Sequence, residues 1–208
     1  MISEYLKPTP LIDFDHPAVI DFVKAHTDGN TAPRDQAIRF FYAVRDGIRY
    51  DGYSAYLTTA GLRASNTLRL GRGFCVAKAI VLTACFRAVG IPTKIGFADV
   101  RNHLATERMR QGVKGDVYYW HGYACFLLEG KWIKATPAFD IEFCKRFRVK
   151  PLEFDGYSDA LFHPYDLDGK QHMEYIRFHG EFVDAPLEQI RETYLREYGF
   201  ASPDESKQ

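Results

Sequence analysis

A cysteine at the start of a predicted helix is the residue best suited to covalent chemistry. Cys75 follows the turn-forming run 71–74, and residues 76–89 predict a buried helix. The N-terminal end of a helix carries partial positive charge, which lowers the pKa of a thiol and favours the thiolate. Its free backbone N–H groups can also bind an oxyanion. The position predicts attack by Cys75 on a carbonyl group, whereas the alternative is a small buried apolar residue.

A histidine within a predicted strand is the candidate base for this thiol. Strand alternation places His121, Tyr123 and Cys125 on one face of a sheet. An imidazole on a rigid strand can meet the end of a helix and accept the thiol proton. A core histidine satisfied by the backbone is the alternative. Five other histidines have a weaker claim because their segments are polar or rich in turns: His16, His26, His163, His172 and His179.

A third group is needed to fix the tautomer of the imidazole. Asp140 follows the second strand of a predicted hairpin, from which a carboxylate can reach the neighbouring strand. The same residue is equally suited to cap the helix predicted over residues 141–148. Both roles stay open for Asp140 at this point.

The elements that must position these residues fall into an ordered pattern. Apolar periodicity and end signals predict helices over residues 17–25, 33–46, 76–89, 141–148 and 186–198. Strands are predicted over residues 48–53, 93–100, 117–128 and 132–135, with Gly130 in the hairpin turn, and residues 101–115 as a polar connection. Helices followed by hairpin-connected strands indicate an α+β fold with an antiparallel sheet. No linker is visible, so we expect one domain over residues 1–208.

Composition excludes several classes of protein. The 208 residues are 46% hydrophobic, which is enough for a core, and 27 basic residues balance 27 acidic ones. Nucleic acid and anionic membranes are therefore not expected partners. No apolar run approaches the roughly 18 residues of a membrane span, and no secretory signal is visible, so a cytoplasmic location is expected. No two of the four cysteines have the close spacing of a metal-ligand pair. We therefore expect neither a metal nor a cofactor.

Four motifs occur together in a diagnostic order. They are Gly73-Phe74-Cys75, the helix end Arg87-Ala88-Val89-Gly90-Ile91-Pro92, Trp120-His121-Gly122-Tyr123 and Gly130-Lys131-Trp132-Ile133. In this combination the sequence resembles the transglutaminase-like superfamily, whose fold is similar to that of papain-type cysteine proteases. The resemblance covers about residues 36–140, followed by a C-terminal extension over 141–208. Segments 151–156 and 161–164 resemble a bacterial branch of the superfamily.

The resemblance implies a Cys-His-Asp triad, with one departure from the family pattern. The family aspartate usually falls four residues after the strand tryptophan, and that slot, counted from Trp132, holds Thr136. We therefore predict Asp140 as the residue that orients His121, with Thr136 as its rival. Asp99 and Asp116 are further alternatives for this role. Two other residues are candidates for the cleft: Tyr50 as an oxyanion donor and Asn102 as a polar lining residue.

The activity implied by the resemblance is cysteine-dependent acyl transfer on an amide or peptide bond. Hydrolysis is preferred over transamidation because no sequence feature indicates an amine site or a calcium-binding loop. The expected partner is a peptide or another amide-containing substrate. A catalytically inactive binding or scaffold module is the alternative, since the family aspartate is replaced by Thr136.

Overall fold

Helices dominate the first 90 residues of the computed structural model, and strands dominate the part that follows. The structure describes residues 2–27, 29, 32–163 and 165–200. After a 3-10 helix (Ile2–Leu6), the helices are α1 (Pro17–Thr27), α2 (Pro33–Gly47), α3 (Thr59–Leu62), α4 (Ala64–Leu70), α5 (Cys75–Ala88), α6 (Glu107–Val113), α7 (Ile141–Phe147) and α8 (Leu187–Glu197). The strands are β1 (Arg49–Tyr50), β2 (Arg72–Gly73), β3 (Thr93–Asn102), β4 (Val117–Leu128), β5 (Lys131–Ala135) and β6 (Met173–Phe182). The predicted α+β fold class is confirmed.

An antiparallel sheet of four strands carries the candidate base. Its strand order is β5-β4-β3-β6, so the predicted hairpin of β4 and β5 lies at one edge. The other edge is β6, which the sequence analysis did not predict. A separate parallel pair, β1 with β2, lies just before the nucleophile helix and fixes the loop that leads into Cys75.

Helix α5 is the centre of the core. Every residue from Val76 to Arg87 is buried, which agrees with a sequence that is apolar on all sides. The helix packs against β4, α2 and α4. It ends just before Gly90, whose φ of +80° suits a residue without a side chain, and Pro92 prevents its continuation.

Two buried cations tie α5 to its surroundings. The ammonium of Lys78 donates hydrogen bonds to the carbonyl oxygens of Arg45 (2.8 Å) and Ile48 (2.6 Å), at the C-terminal end of α2. These carbonyls lack partners within their own helix and carry its partial negative charge. Burial lowers the pKa of Lys78 to about 7. Arg87 similarly donates to the carbonyls of Thr93, Lys7 and Val183.

Several local predictions were wrong. The connection predicted over residues 101–115 contains the end of β3 and helix α6, whose N-cap Thr106 accepts a hydrogen bond from the N–H of Met109. Helices α3 and α4 were missed, because such short helices need no long apolar stripe. The predicted strand over 48–53 is only the two residues of β1. Within the described ranges, no helix has the length and apolar character needed to cross a membrane.

Candidate active site

The thiol of Cys75 lies among main-chain N–H groups at the N-terminal end of α5. Three backbone N–H groups, those of Cys75 itself, of Val76 and of Gly122 on β4, lie near the sulfur and act to lower the pKa of the thiol. Cys75 is partly exposed, whereas Cys85, Cys125 and Cys144 are buried. Among the four cysteines, Cys75 is thus the most accessible to solvent as a residue.

Gly122 allows the helix and the strand to touch. A Cβ atom at this position would lie 3.0 Å from the Cα of Val76 and 3.2 Å from the Cβ of Ala79. Only glycine avoids this crowding without moving the start of α5. Because Gly122 follows His121, the N–H that contacts the sulfur belongs to the peptide unit next to the imidazole-bearing residue.

The end of strand β5 leaves the edge of β4 open at this point. The pairing of β5 with β4 stops at Ala135 opposite Ala124. Beyond it, the carbonyl of Gly122 accepts a hydrogen bond from the hydroxyl of Thr136 (3.1 Å), while the N–H of Gly122 contacts the sulfur of Cys75. The N–H and the carbonyl of Gly122 thus face Cys75 and Thr136 respectively, and both residues lie at the open edge of β4.

The imidazole of His121 completes this arrangement. Its Nε2 lies 3.1 Å from Thr136 Oγ1. The ring packs on Phe162, with centroids 4.4 Å apart, and on the edge of Tyr175 at 6.1 Å. His121 is only 3% exposed, and burial lowers its pKa to about 3. The ring is therefore neutral near pH 7.

The hydrogen bonds of Thr136 determine the tautomer of this neutral ring. A hydroxyl has one hydrogen, and Thr136 uses it on the carbonyl oxygen of Gly122. Thr136 Oγ1 must then accept a hydrogen from His121 Nε2. Nε2 carries the proton, and Nδ1 is left as an unprotonated acceptor.

The protonation state of Cys75 differs from the sequence-based expectation. Burial raises the pKa of the thiol to about 11, although the three N–H groups act in the opposite direction. The effect predicted for the helix N-terminus is present but smaller than the cost of desolvating a thiolate. In the resting state the thiol of Cys75 and the imidazole of His121 are thus both neutral.

Asp140 does not occupy the orienting position that we predicted for it. Its Oδ1 accepts the N–H of Phe143 (2.8 Å) as the N-cap of α7, and its Oδ2 accepts the N–H of Tyr50 (2.6 Å). Both oxygens satisfy backbone groups that lack partners in their own elements. Asp140 therefore has the alternative role, that of a helix N-cap. Thr136 is the residue that contacts His121.

The remaining candidates make their hydrogen bonds, ion pairs and ring contacts with residues other than His121. Tyr50 packs on Phe139 and Phe143, and burial raises its pKa well above the ordinary value. Asn102 is buried and its Oδ1 accepts the N–H of Leu104, which stabilises the turn after β3. The two alternative acids bind other partners. Asp116 pairs with Arg101 and Arg110, and Asp99 pairs with His179.

Comparison with known proteins identifies the family. A family model described as the transglutaminase-like superfamily matches residues 20–137, which is more than half of the chain. The chain belongs to the transglutaminase-like superfamily. The predicted resemblance is therefore confirmed. The matched region of this transglutaminase-like chain contains Cys75, His121 and Thr136, whereas Asp140 lies beyond its end.

A solved structure resembles part of this transglutaminase-like chain. It is described as "a Putative Cysteine Protease from Cytophaga hutchinsonii", is 17% identical in sequence and has a TM-score of 0.46. The match covers 65% of the present chain and 41% of that one, so the chain spans less than half of that protein's length. No match is found among curated proteins.

Two aromatic residues of the transglutaminase-like site were missed by the sequence analysis. Phe162 and Tyr175 form the wall against which the His121 ring packs, and the hydroxyl of Tyr175 accepts the N–H of Phe162 (3.4 Å). Both follow the motif-bearing core. The sequence feature that could have indicated them is the high aromatic content of residues 162–182. In the part of the chain that the structure describes, no three His, Cys, Asp or Glu side chains converge on a metal position.

Proposed function

We propose that the protein is a cysteine-dependent acyl-transfer enzyme that cleaves an amide or peptide bond. In this proposal Cys75 is the nucleophile, His121 is the base and Thr136 holds the imidazole. The observation that carries it is the hydrogen-bond chain from His121 Nε2 through Thr136 Oγ1 to the carbonyl of Gly122. That chain leaves Nδ1 without a proton, and the N–H of Gly122, the residue after His121, lies near the Cys75 sulfur. In this proposal Nδ1 accepts the proton of the thiol.

The reaction begins from the neutral pair. As the sulfur of Cys75 bonds to the substrate carbonyl carbon, the thiol proton moves to Nδ1 of His121. The N–H groups at the start of α5 stabilise negative charge as it passes from the sulfur to the carbonyl oxygen. The imidazolium then protonates the leaving amine, which departs as the C–N bond breaks. Water attacks the thioester, gives its proton to His121 and restores the thiol with release of a carboxylic acid.

Thr136 performs only part of the role of a triad aspartate. It fixes the tautomer and the direction of the ring, but a neutral hydroxyl does not stabilise the imidazolium as a carboxylate does. We therefore expect the Cys75 thiolate to form only during attack on a substrate. Hydrolysis is preferred over transamidation, as the sequence led us to expect. The four free cysteines suit the reducing cytoplasm proposed as the site of action.

Turnover on model substrates tests the proposal. Fluorogenic peptide amides report hydrolysis, and incorporation of a fluorescent primary amine into a protein substrate reports transamidation. We expect hydrolysis by the wild type and none by Cys75→Ala, with the matched control Cys144→Ala active. An active Cys75→Ala protein would refute the assignment. Amine incorporation exceeding hydrolysis would refute the preference for water.

A non-catalytic binding module is the second candidate. The neutral thiol and imidazole favour it, because neither group is activated in the resting state. Alkylation together with turnover separates the two candidates, because a thiol that is unreactive near neutral pH is expected of both. If Cys75 reacts with iodoacetamide only as pH approaches 11 and no peptide amide is turned over, the binding module is supported.

A further inference from the structure

A second, partly buried imidazole on the sheet has a carboxylate partner that the proposed mechanism does not use. His179 Nε2 on β6 lies 2.7 Å from Asp99 Oδ1 on β3. The two side chains are 11% and 6% exposed. Neither residue hydrogen-bonds to His121. A buried carboxylate is costly to desolvate, so its position calls for a physical explanation.

Asp99 lies where the regular pairing of the sheet is interrupted on both sides. On one side Ala98 pairs with His121 but Val100 pairs with Tyr118, so Asp99 faces two residues of β4. On the other side Phe97 pairs with Gly180 but Ala98 pairs with Phe178, which leaves His179 as an extra residue of β6. Bulges of this kind redirect side chains next to active sites.

The bulge on β4 places Trp120, the residue before His121, in the left-handed region with φ of +58°. A bulky residue rarely adopts this conformation, which persists only where surrounding contacts enforce it. Asp99 Oδ1 accepts the N–H of Trp120 (3.0 Å) in place of a ladder carbonyl. The indole stacks on His179 with ring centroids 4.1 Å apart and planes within 6°. Its Nε1 donates to Thr193 on α8 (2.9 Å).

The bulge matters for the candidate base because side-chain direction in a strand depends on register. A slip of one residue moves every side chain of the strand to the opposite face. His121 would then leave Thr136. We propose that Asp99 is a positioning residue: its carboxylate, held by His179, fixes the bulge at Trp120 and so directs the His121 imidazole onto Thr136. This inference rests on the proposed function of His121.

A cavity beside Asp99 and His179 could admit a small carboxylate in place of the Asp99 side chain. Its volume is about 500 Å³, and Asp99, His179 and Trp120 line it together with Arg177 and Arg196. A small carboxylate such as formate can therefore reach the space that the Asp99 side chain leaves after truncation to alanine.

Formate rescue of Asp99→Ala is the test. We expect kcat on a peptide amide to fall roughly 10- to 100-fold with KM within about twofold, because a base misplaced by about 1 Å loses a rate factor of this size. Added formate should raise the kcat of Asp99→Ala at least several-fold. The control Asp116→Ala removes an acid of the adjoining loop and should neither lose activity nor respond to formate. A folded Asp99→Ala protein with wild-type kcat would overturn the inference.

Nitrogen-15 spectra of the His121 ring separate this inference from the proposed function. We expect wild-type His121 to be protonated at Nε2 and Asp99→Ala to show a changed tautomer ratio that formate reverses. If the wild type lacks turnover but the ring signals still respond to Asp99→Ala, the positioning role stands and the proposed function fails. Unchanged signals overturn the positioning role. If Asp99→Ala does not fold, Asp99→Asn, which keeps an oxygen for Trp120 but loses the charge, is measured in the same way.

Discussion

Two histidines on the same sheet have partners of different charge. His121, the proposed base, is bound by the hydroxyl of Thr136, whereas His179, on the far edge strand, is bound by the carboxylate of Asp99. A triad would place the acid beside the reactive imidazole. Here the acid instead holds the backbone N–H of Trp120.

The difference separates two tasks that a triad aspartate combines. Thr136 selects the tautomer of His121 without adding charge, and Asp99 secures the strand geometry without contacting the reactive ring. A carboxylate beside His121 would favour the imidazolium and raise its pKa. Its absence leaves burial as the dominant influence, so both reactive groups rest in their neutral forms.

Removing each imidazole tests the comparison most strongly. His121→Gln deletes the proposed base, and we expect kcat on a peptide amide to fall by roughly 10³-fold, within the range for general-base catalysis. His179→Gln removes a group that acts only through Asp99, and its loss should be about tenfold or less. Steady-state kinetics on both variants measure the ratio. Equal losses would remove the distinction between the two histidines.

Removing the Thr136 hydroxyl addresses the neutral partner directly. In Thr136→Val the shape is retained, but Nε2 loses its acceptor and the tautomer is no longer fixed. We expect a decrease in kcat of roughly 10- to 100-fold, or about 1.4–2.7 kcal/mol of transition-state stabilisation. Thr136→Ser keeps the hydroxyl and serves as the control in the same assay. A Thr136→Val protein as active as Thr136→Ser would show that the hydroxyl has no positioning role.

The pH dependence of stability tests the neutral state of His121. Its pKa is about 3 in the folded chain and about 6.5 in an unfolded one, so the unfolded state binds more protons between these values. Stability should therefore decrease as pH falls from 6.5 towards 3, by up to about 1.4 kcal/mol per pH unit from this group. Urea unfolding at pH 6.5 and 5.5 should show a smaller decrease for His121→Gln than for the wild type. Equal decreases would contradict burial of a neutral ring.

Replacing Thr136 with an acid is expected to have the smallest effect of these variants, and it tests directly how the charge of the partner matters. Thr136→Asp places a carboxylate beside Nε2, which raises the pKa of His121 and favours the thiolate–imidazolium pair. We expect the alkylation rate of Cys75 at pH 6–7 to increase roughly three- to tenfold, because a shift of one pKa unit changes a populated fraction tenfold. The uncharged control Thr136→Asn should show no increase. Alkylation unchanged by Thr136→Asp would mean that the carboxylate does not couple to the thiol.

The nucleophile helix and the hairpin were predictable from local signals. Gly73 and Gly90 mark both ends of α5, and Gly130 marks the turn between β4 and β5, so Cys75 and His121 were assigned to the correct elements. Strand β6 was missed because its apolar alternation changes phase: Met173 and Tyr175 occupy odd positions, whereas Phe178 and Phe182 occupy even ones. That change corresponds to the bulges opposite Asp99, which only tertiary pairing explains.

The choice between Asp140 and Thr136 could not be made from the sequence. An aspartate before a helix satisfies the rules for an N-cap and for a triad acid alike. The deciding facts are that Tyr50 supplies a second N–H to Asp140 and that Thr136 meets both His121 and Gly122. These contacts join segments up to 90 residues apart in the chain.

The missing side chain at Gly122 has a consequence for how such a site can change. Because main-chain atoms of α5 and β4 meet there directly, the spacing between the start of α5 and the strand that carries His121 is set by backbone contact rather than by side-chain packing. Substitutions of Thr136, the proposed third position of the site, should therefore alter charge without altering that spacing. A backbone of this kind can accept a carboxylate in place of the Thr136 hydroxyl while the helix and the strand keep their register.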